Sequence, residues 1–255
     1  MAVAVSEPAG AVAALQHAVW VRVCHWVLTA SVLTLAVTGV EILMVHPRLY
    51  WGEVGNDLTP ALVELPISRN YRHGGYDAAT PFFDRAASPV SASRTFDIFN
   101  QNGWGRSLHF LAAWGLALAG TIYLLMGLAD GHFRAHVWPR LRELAPGLVW
   151  RDLIDHVRFR IRPPTGGPHY GLLQKCAYSF VVFVAGPLIV ATGLAMSPAM
   201  TAAVPLLTVL FGGYQSARTI HFFTFAALVG FVLVHLVMVA ASGFRRQLRG
   251  ITLGE

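Results

Sequence analysis

Four of the eleven histidines in this sequence, His25, His109, His221 and His235, lie within or at the rim of long apolar runs. An ionisable side chain in lipid is costly and usually functional, so these four are the first candidates for chemistry. His221 and His235 are fourteen residues apart, which is close to four helical turns and about 21 Å along a helix axis. One helix therefore presents two imidazoles on the same face, one near each membrane surface.

Depth in the membrane sorts the four histidines into two pairs. His25 lies at the same depth as His235, and His109 at the same depth as His221. Two neutral imidazoles per site are too few ligands for tetrahedral zinc. They suit the two axial positions of a b-type haem, whose macrocycle supplies the other four nitrogens, in a pocket between helices. The sequence therefore predicts two stacked haem-iron sites.

An arginine precedes three of these histidines by one helical turn and lies on the same helix face. The pairs are Arg22 with His25, Arg106 with His109, and Arg218 with His221. Haem propionates point towards the membrane interface and need cationic partners, and a guanidinium can bind a carboxylate with two hydrogen bonds. Arg22, Arg106 and Arg218 are therefore predicted to bind propionates, and the alternative is that they only anchor helix ends.

Four apolar runs must position these residues, and each is long enough to cross a bilayer as a helix of about 20 residues. The composition agrees, because 55% of the chain is hydrophobic and 13% is charged, whereas a soluble domain carries about 25% charged residues. We expect an all-α, up-and-down bundle of four transmembrane helices that binds two haems, in one domain over residues 1–255. The runs cover residues 19–45, 108–129, 176–196 and 220–241, with an outer loop 46–107 and a cytoplasmic loop 130–175.

The distribution of positive charge predicts the orientation of the bundle. Lys and Arg accumulate on the cytoplasmic side of membrane proteins. Both termini and the loop 130–175 share one side, which holds twelve of the 19 Lys and Arg residues. We therefore expect a multi-pass protein of the bacterial cytoplasmic (inner) membrane with both termini in the cytoplasm. The predicted haem-iron ligands are His25 and His235 on the cytoplasmic side, and His109 and His221 on the outer side.

Other chemistry finds little support in the sequence. Two cysteines, Cys24 and Cys176, exclude a disulfide framework and a CxxC pair, and covalent c-type haem attachment is excluded as well. His132 and His136 have metal-ligand spacing, but no third ligand stands nearby. There is no catalytic nucleophile constellation and no nucleotide-binding loop. We therefore expect an electron-transfer subunit rather than a catalyst by itself, and no nucleic-acid partner.

These motifs resemble a known family. The Arg-x-x-His-Trp start of the first helix, the Arg-x-x-His of the second and the fourteen-residue His pair of the fourth are similar to di-haem cytochrome b subunits of nickel–iron hydrogenases. Formate dehydrogenase gamma subunits and thiosulfate-reductase-type anchors, bacterial cytochrome b561-like proteins, share the arrangement. The stretches Tyr170–Tyr178, Thr192–Pro198 and Gly212–Phe222 look closest to the branch that accompanies molybdopterin oxidoreductases. The resemblance implies two haem b groups and an extracytoplasmic oxidoreductase partner, either a molybdopterin enzyme or a hydrogenase.

The resemblance also implies a quinone site. Family members often carry Tyr-Asn-x-x-Gln-Lys at the start of the third helix, beside the cytoplasmic haem. The corresponding residues here are Tyr170, Gln174 and Lys175, with Gly171 in place of the Asn. Tyr170 and Gln174 are one turn apart and can both hydrogen-bond a quinone oxygen, and Lys175 can offset negative charge on it. The alternative is that Tyr170 and Lys175 only anchor the helix at the interface.

The sequence thus predicts a membrane subunit that transfers electrons between an extracytoplasmic oxidoreductase and the quinone pool, ubiquinone or menaquinone. The long outer loop is rich in aromatic residues and is expected to dock the partner, especially through its segment Tyr71–Ser93. One alternative is a free-standing cytochrome b561 that oxidises quinol without a dedicated partner. Another is a proton or metal transporter in which the four histidines form a relay.

Overall fold

The computed structural model describes residues 17–56, 59–67, 102–158 and 170–254, and within them the protein is mostly helical. Four stretches are long and apolar enough to cross a membrane: Val19–Val45, Trp104–Ala129, Leu172–Ala195 and Tyr214–Ala241. The predicted all-α architecture with four membrane-spanning helices is therefore confirmed. In chain order the elements are α1 Val19–Val45, β1 Arg48–Leu49, β2 Val63–Glu64, α2 Asn102–Ala129, α3 Pro146–Val157, α4 Leu172–Phe180, α5 Gly186–Ala195, α6 Pro198–Ala203, α7 Leu206–Leu210, α8 Tyr214–Ala241 and α9 Phe244–Thr252.

The helices extend beyond the apolar runs at three of the four starts. α2 begins at Asn102 rather than at 108, the third span begins at Leu172 rather than at 176, and α8 begins at Tyr214 rather than at 220. Hydropathy marks only the part of a helix that lies in lipid, whereas backbone hydrogen bonds continue through polar turns at its ends. The first span agrees with its predicted bounds.

The third span passes through a proline without breaking. Pro187 has no N–H to donate to the carbonyl of the preceding turn. The residues just before it, Val181–Ala185, form a π-helical turn that joins α4 to α5. A Cβ at Gly186 would lie 2.9 Å from the carbonyl oxygen of Val181, so the glycine allows the wider turn to close. Such π-turns are a known way to accommodate disruption inside a long helix.

The bundle is built from two helical hairpins. α1 packs along α2, and α5 packs along α8. We call the end at which α1 stops and α2 and α8 begin the outer end, and the opposite end the inner end. At the inner end the segments between α2 and α4 fold against the third span, where the rings of Phe133 and Trp138 lie 5.0 and 5.7 Å from that of Phe183.

A short segment after α1, residues 46–56, crosses the outer end, and we call it the strap. The carbonyl of Gly52 accepts the backbone N–H groups of Gln215 and Ser216 at 3.0 and 3.1 Å, and the Ser216 hydroxyl accepts the Gly52 N–H at 2.7 Å. The Thr219 hydroxyl donates to the Tyr50 carbonyl at 2.6 Å. The first turn of α8 has amides with no partner within the helix, and the strap satisfies several of them.

The strap contains β1, which forms a two-stranded antiparallel sheet with β2. Arg48 pairs with Glu64, and Leu49 pairs with Val63. Of the outer-loop aromatics, Tyr50 is buried in the strap, and Trp51 is exposed. The predicted docking segment Tyr71–Ser93 lies outside the described residues, so its role stays a prediction.

Substitution of Gly213 tests how the strap is attached. Gly213 has a φ of +113°, and a Cβ there would lie 2.5 Å from the backbone of Gly52. Gly213→Ala should therefore lower the free energy of unfolding by about 1–3 kcal/mol, seen as earlier thermal loss of helical circular dichroism in detergent. Gly230→Ala is the matched control, because nothing lies within 4 Å of that position in α8. Equal melting of the two variants would contradict this account.

Candidate functional site

The outer histidine pair is held by two threonine hydroxyls. Thr38 Oγ1 on α1 lies 2.9 Å from His109 Nδ1 on α2, and Thr192 Oγ1 on α5 lies 3.0 Å from His221 Nδ1 on α8. Each hydroxyl has a single hydrogen and already donates it within its own helix, to Thr34 O at 2.8 Å and to Leu188 O at 2.7 Å. The threonines must therefore accept from Nδ1–H of neutral imidazoles, which leaves the Nε2 lone pairs for a metal.

A glycine follows each of these threonines and lies against the same imidazole. A Cβ at Gly39 would lie 3.5 Å from Cε1 of His109, and a Cβ at Gly193 would lie 3.5 Å from Cε1 of His221. The two hairpins thus repeat one arrangement, in which a Thr-Gly dipeptide of the first helix faces a histidine of the second. The sequence analysis missed the threonines, although Thr-Gly occurs only at these two places within the four spans.

The inner pair is surrounded by aromatic rings instead. The ring of Phe231 stacks on His235 with a centroid separation of 5.8 Å and an interplanar angle of 18°. The ring of Trp26 lies edge-on to His25 at 5.4 Å. Nδ1 of His25 is buried and has no hydrogen-bond partner within the described residues. These contacts place both imidazoles in apolar surroundings, where the neutral, metal-binding form is favoured.

The four histidines are neighbours in the same pairs that their depth predicts. His25 lies within electrostatic range of His235, and His221 lies within electrostatic range of His109. Both pairs combine α8 with a helix of the first hairpin, so α8 contributes to each level of the bundle. The assignment of these imidazoles as iron ligands stays a prediction.

The three predicted propionate arginines have different surroundings. Arg218 is partly buried and donates Nη2–H to the carbonyl of His46 in the strap. Arg22 donates Nη1–H to the carbonyl of Thr252 at 2.9 Å, and its Nε is buried without a partner in the described part of the chain. Arg106 is exposed. Arg218 therefore binds the strap, and Arg22 binds the end of α9. Each guanidinium has further N–H donors besides the one used in this contact.

Two buried ionisable side chains at the outer end were missed by the sequence analysis. Arg48 is only 2% exposed and lies within electrostatic reach of Arg218. Glu41 is 4% exposed and is the single acidic residue of the four spans. A Cβ at Gly105 would lie against its carboxylate, so the glycine lets Glu41 pack closely on α2. The sequence signal for Glu41 was its isolation in an apolar run; Arg48 lies just beyond the predicted span and gave no such signal.

The residues predicted to bind quinone lie at the start of α4 and are connected to the inner pair. The ring of Tyr170 meets that of Tyr178 edge-on at 5.1 Å, and Tyr178 meets His235 at 6.4 Å. Burial raises the pKa of the Tyr170 phenol above its ordinary value, so its hydroxyl keeps its hydrogen and can donate it. A continuous path of rings therefore runs from Tyr170 to the inner imidazole.

Gln174 and Lys175 already have partners within the protein. Gln174 Oε1 accepts the N–H of Gly171 at 3.0 Å and so caps α4. Lys175 is 3% exposed, and its Nζ donates to both carboxylate oxygens of Glu143 at 2.9 and 3.0 Å. Burial alone would raise the pKa of Glu143, but the hydrogen bonds from Lys175 and the Arg140 N–H hold it below its ordinary value. The Gln174 amide N–H₂ and this ion pair are the groups that a ligand could meet.

Comparison with known proteins adds an independent line of evidence. The family described as prokaryotic cytochrome b561 matches residues 16–254 of this chain. A protein of Azospira oryzae described as a putative protein-methionine-sulfoxide reductase subunit, YedZ1, is 29% identical over 224 residues, which cover 88% of this chain and 89% of that protein. No solved structure matches the chain.

Removal of either threonine hydroxyl tests the outer pair. Thr38→Val and Thr192→Val should each lose a hydrogen bond to imidazole and weaken cofactor retention at the outer level by about tenfold or more, as losses of such supporting partners typically do. The measurement is the absorbance and midpoint potential of bound haem after purification. Thr34→Val is the control, because Thr34 is a partly exposed residue of α1 whose hydroxyl donates to Ala30 O and not to an imidazole. If all three variants lost haem to the same extent, the hydrogen bonds to the imidazoles would have no specific role.

Proposed function

This chain belongs to the prokaryotic cytochrome b561 family of haem-binding membrane electron-transfer proteins, and on that premise we propose that it carries electrons between an extracytoplasmic oxidoreductase and the quinone pool. The observation that carries the proposal is that α8 contributes one histidine to each pair, His221 towards its start and His235 towards its end. Electrons that hop between two such levels cross most of the bilayer. The chain acts as one subunit of a larger oxidoreductase.

The donor set fits haem b better than a metal ion held by protein alone. Within the described residues no group of three or more His, Cys, Asp or Glu side chains comes together, so a zinc-type site lacks ligands. Haem brings four nitrogens and needs two axial ligands, and when bound it accepts and releases single electrons. We propose that His109 and His221 hold the outer haem and that His25 and His235 hold the inner one.

Guanidinium groups near both histidine pairs support positions for the haem propionates. Arg218 and Arg48 bring two positive charges together at the outer end, where an anion between them relieves their repulsion. Arg22 lies one turn from His25 and keeps its buried Nε available within the described structure. We propose that Arg218 and Arg48 bind the propionates of the outer haem and that Arg22 binds those of the inner haem. Arg106 also binds an outer propionate, from a more exposed position.

A quinone site at the inner end rests on the ring path from Tyr170 through Tyr178 to His235. Tyr170 offers a hydroxyl hydrogen, Gln174 offers an amide N–H₂, and both lie at the start of α4. The Lys175–Glu143 ion pair balances charge beside them, so added negative charge on the quinone meets a buried cation. A quinone bound here would lie at short range from a haem held by His25 and His235.

The partner is proposed from the resemblance and from the relative. The motifs look closest to subunits that accompany molybdopterin oxidoreductases, and the Azospira oryzae relative is described as a reductase subunit. We therefore favour a molybdopterin oxidoreductase over a hydrogenase. It would dock on the strap and the outer loop, outside the membrane, with both termini of this chain in the cytoplasm.

Replacement of single histidines tests the pairing. His109→Ala and His221→Ala should remove the same haem, and His25→Ala and His235→Ala should remove the other, because each iron needs both axial imidazoles. Redox titration followed by the absorbance bands of the reduced protein distinguishes the two haems. His132→Ala, outside the spans, should leave both in place. If His25→Ala and His221→Ala removed the same haem, the pairing would be wrong.

Replacement of Tyr170 tests the quinone site with little disturbance. Tyr170→Phe keeps the ring contact with Tyr178 and removes one hydroxyl, so quinone turnover should fall about two- to tenfold while both haem spectra persist. Gln174→Leu should also weaken turnover, but it removes the cap on Gly171 as well. Tyr214→Phe, at the start of α8, is the control. Unchanged turnover and inhibitor sensitivity in Tyr170→Phe would move the quinone site away from the inner end.

A further inference from the structure

The last helix, α9, crosses the inner end of the bundle and is fixed at both of its ends. It starts directly after the turn that follows α8, where Gly243 has a φ of +105°. At its far end, Arg22 Nη1 donates to Thr252 O at 2.9 Å, and Trp26 Nε1 donates to Ile251 O at 3.3 Å. The helix therefore runs from the end of α8 to the start of α1, and its direction is set by these contacts.

The nine residues of α9 divide into an apolar and a cationic face. Phe244, Leu248 and Ile251 follow the i, i+4, i+7 pattern of one helix face. Arg245, Arg246 and Arg249 lie between them in sequence and on the other side of the helix, and the segment 244–252 contains no acidic residue. Phe244 is 54% exposed and Leu248 is 36% exposed, so the rest of the described protein leaves much of the apolar face uncovered.

We propose that α9 lies in the headgroup layer of the membrane and binds an anionic phospholipid surface. Only Ser242 and Gly243 separate it from a membrane-spanning helix, so its first turn is at the depth of the lipid headgroups. A short amphipathic helix with arginines on its polar face lies in the plane of the interface, with its apolar side chains among the acyl chains. The arginines then face the phosphate groups, and this charge match selects anionic lipid as the occupant.

The arginines of α9 strengthen its binding to anionic lipid. Each Lys or Arg at an anionic membrane surface strengthens binding about fivefold, so Arg245 and Arg246 together contribute about 25-fold. Arg246 Nη2 also donates to the Ser242 carbonyl at 2.9 Å, which leaves its other guanidinium donors for phosphate. Arg249 has a contact within the protein as well, and the test leaves it unchanged. Salt should weaken the effect, because charges near the surface are screened over a Debye length.

The test compares the purified full chain, loaded with haem, in nanodiscs of phosphatidylcholine alone or phosphatidylcholine mixed with phosphatidylglycerol. Hydrogen–deuterium exchange of residues 245–252 is the measurement. The anionic lipid should slow this exchange, up to about 25-fold, in the absence of any partner protein. The R245Q/R246Q variant should lose most of the difference, and high salt should remove it from the wild type.

The matched control is R142Q/R151Q, which removes two exposed arginines from the segments between α2 and α4 and changes the net charge equally. It should keep the lipid dependence of α9. Equal exchange of the wild type in the two membranes would overturn the proposal and would indicate that the face serves a protein partner. A loss in R142Q/R151Q as large as in R245Q/R246Q would also overturn it, because net charge would then be the cause. The absorbance spectra of the bound haem show, independently of this exchange, whether the proposed electron-transfer sites are intact.

Discussion

An imidazole inside a membrane must be neutral, and the nitrogen that carries its hydrogen must have a partner, because lipid supplies neither water nor counter-ions. At the outer level this constraint is met by Thr38 and Thr192, whose hydroxyl hydrogens are already used within their own helices. The threonines can only accept, so they fix the tautomer and the ring orientation of His109 and His221. They also fix how α1 is placed along α2 and how α5 is placed along α8.

At the inner level the imidazoles are held by ring contacts instead. His235 stacks on Phe231, and His25 lies against the edge of Trp26. Ring contacts are less directional than hydrogen bonds, so they define the position of an imidazole more strictly than its rotation. The inner level also joins Tyr178 and Tyr170 to the same cluster of rings, which connects it to the start of α4. A hydrogen-bonded pair of imidazoles at one level and an aromatic route to the surface at the other are what the proposed electron path, with one closed and one exchanging end, requires.

Both ends of the bundle are closed by segments that satisfy the unpaired groups of helix termini. At the outer end, Gly52 in the strap accepts amides of the first turn of α8. At the inner end, Arg22 and Trp26 of α1 donate to the last carbonyls of α9. α8 is therefore held through its own first turn and through the helix that follows it. Because α8 carries a histidine at each level, these contacts keep both pairs in register with the first hairpin.

The sequence by itself determined the four spans, and it predicted the shared face of His221 and His235 and the choice of haem over zinc. Each of these depends on local spacing or on the cost of placing a side chain in lipid, and both can be read along one segment. Span starts were less accurate, because the polar first turns of α2 and α8 are helical without being apolar.

Tertiary structure alone decided which groups surround these histidines. Thr38 meets a histidine 71 residues away, and Arg22 meets a carbonyl 230 residues away. The burial of Arg48 and the pairing of Lys175 with Glu143 are of the same kind, because each joins segments that are separate along the chain. Helical periodicity fixes the direction of a side chain from its own axis. It does not fix which neighbouring helix stands there, and that depends on the packing of the whole bundle.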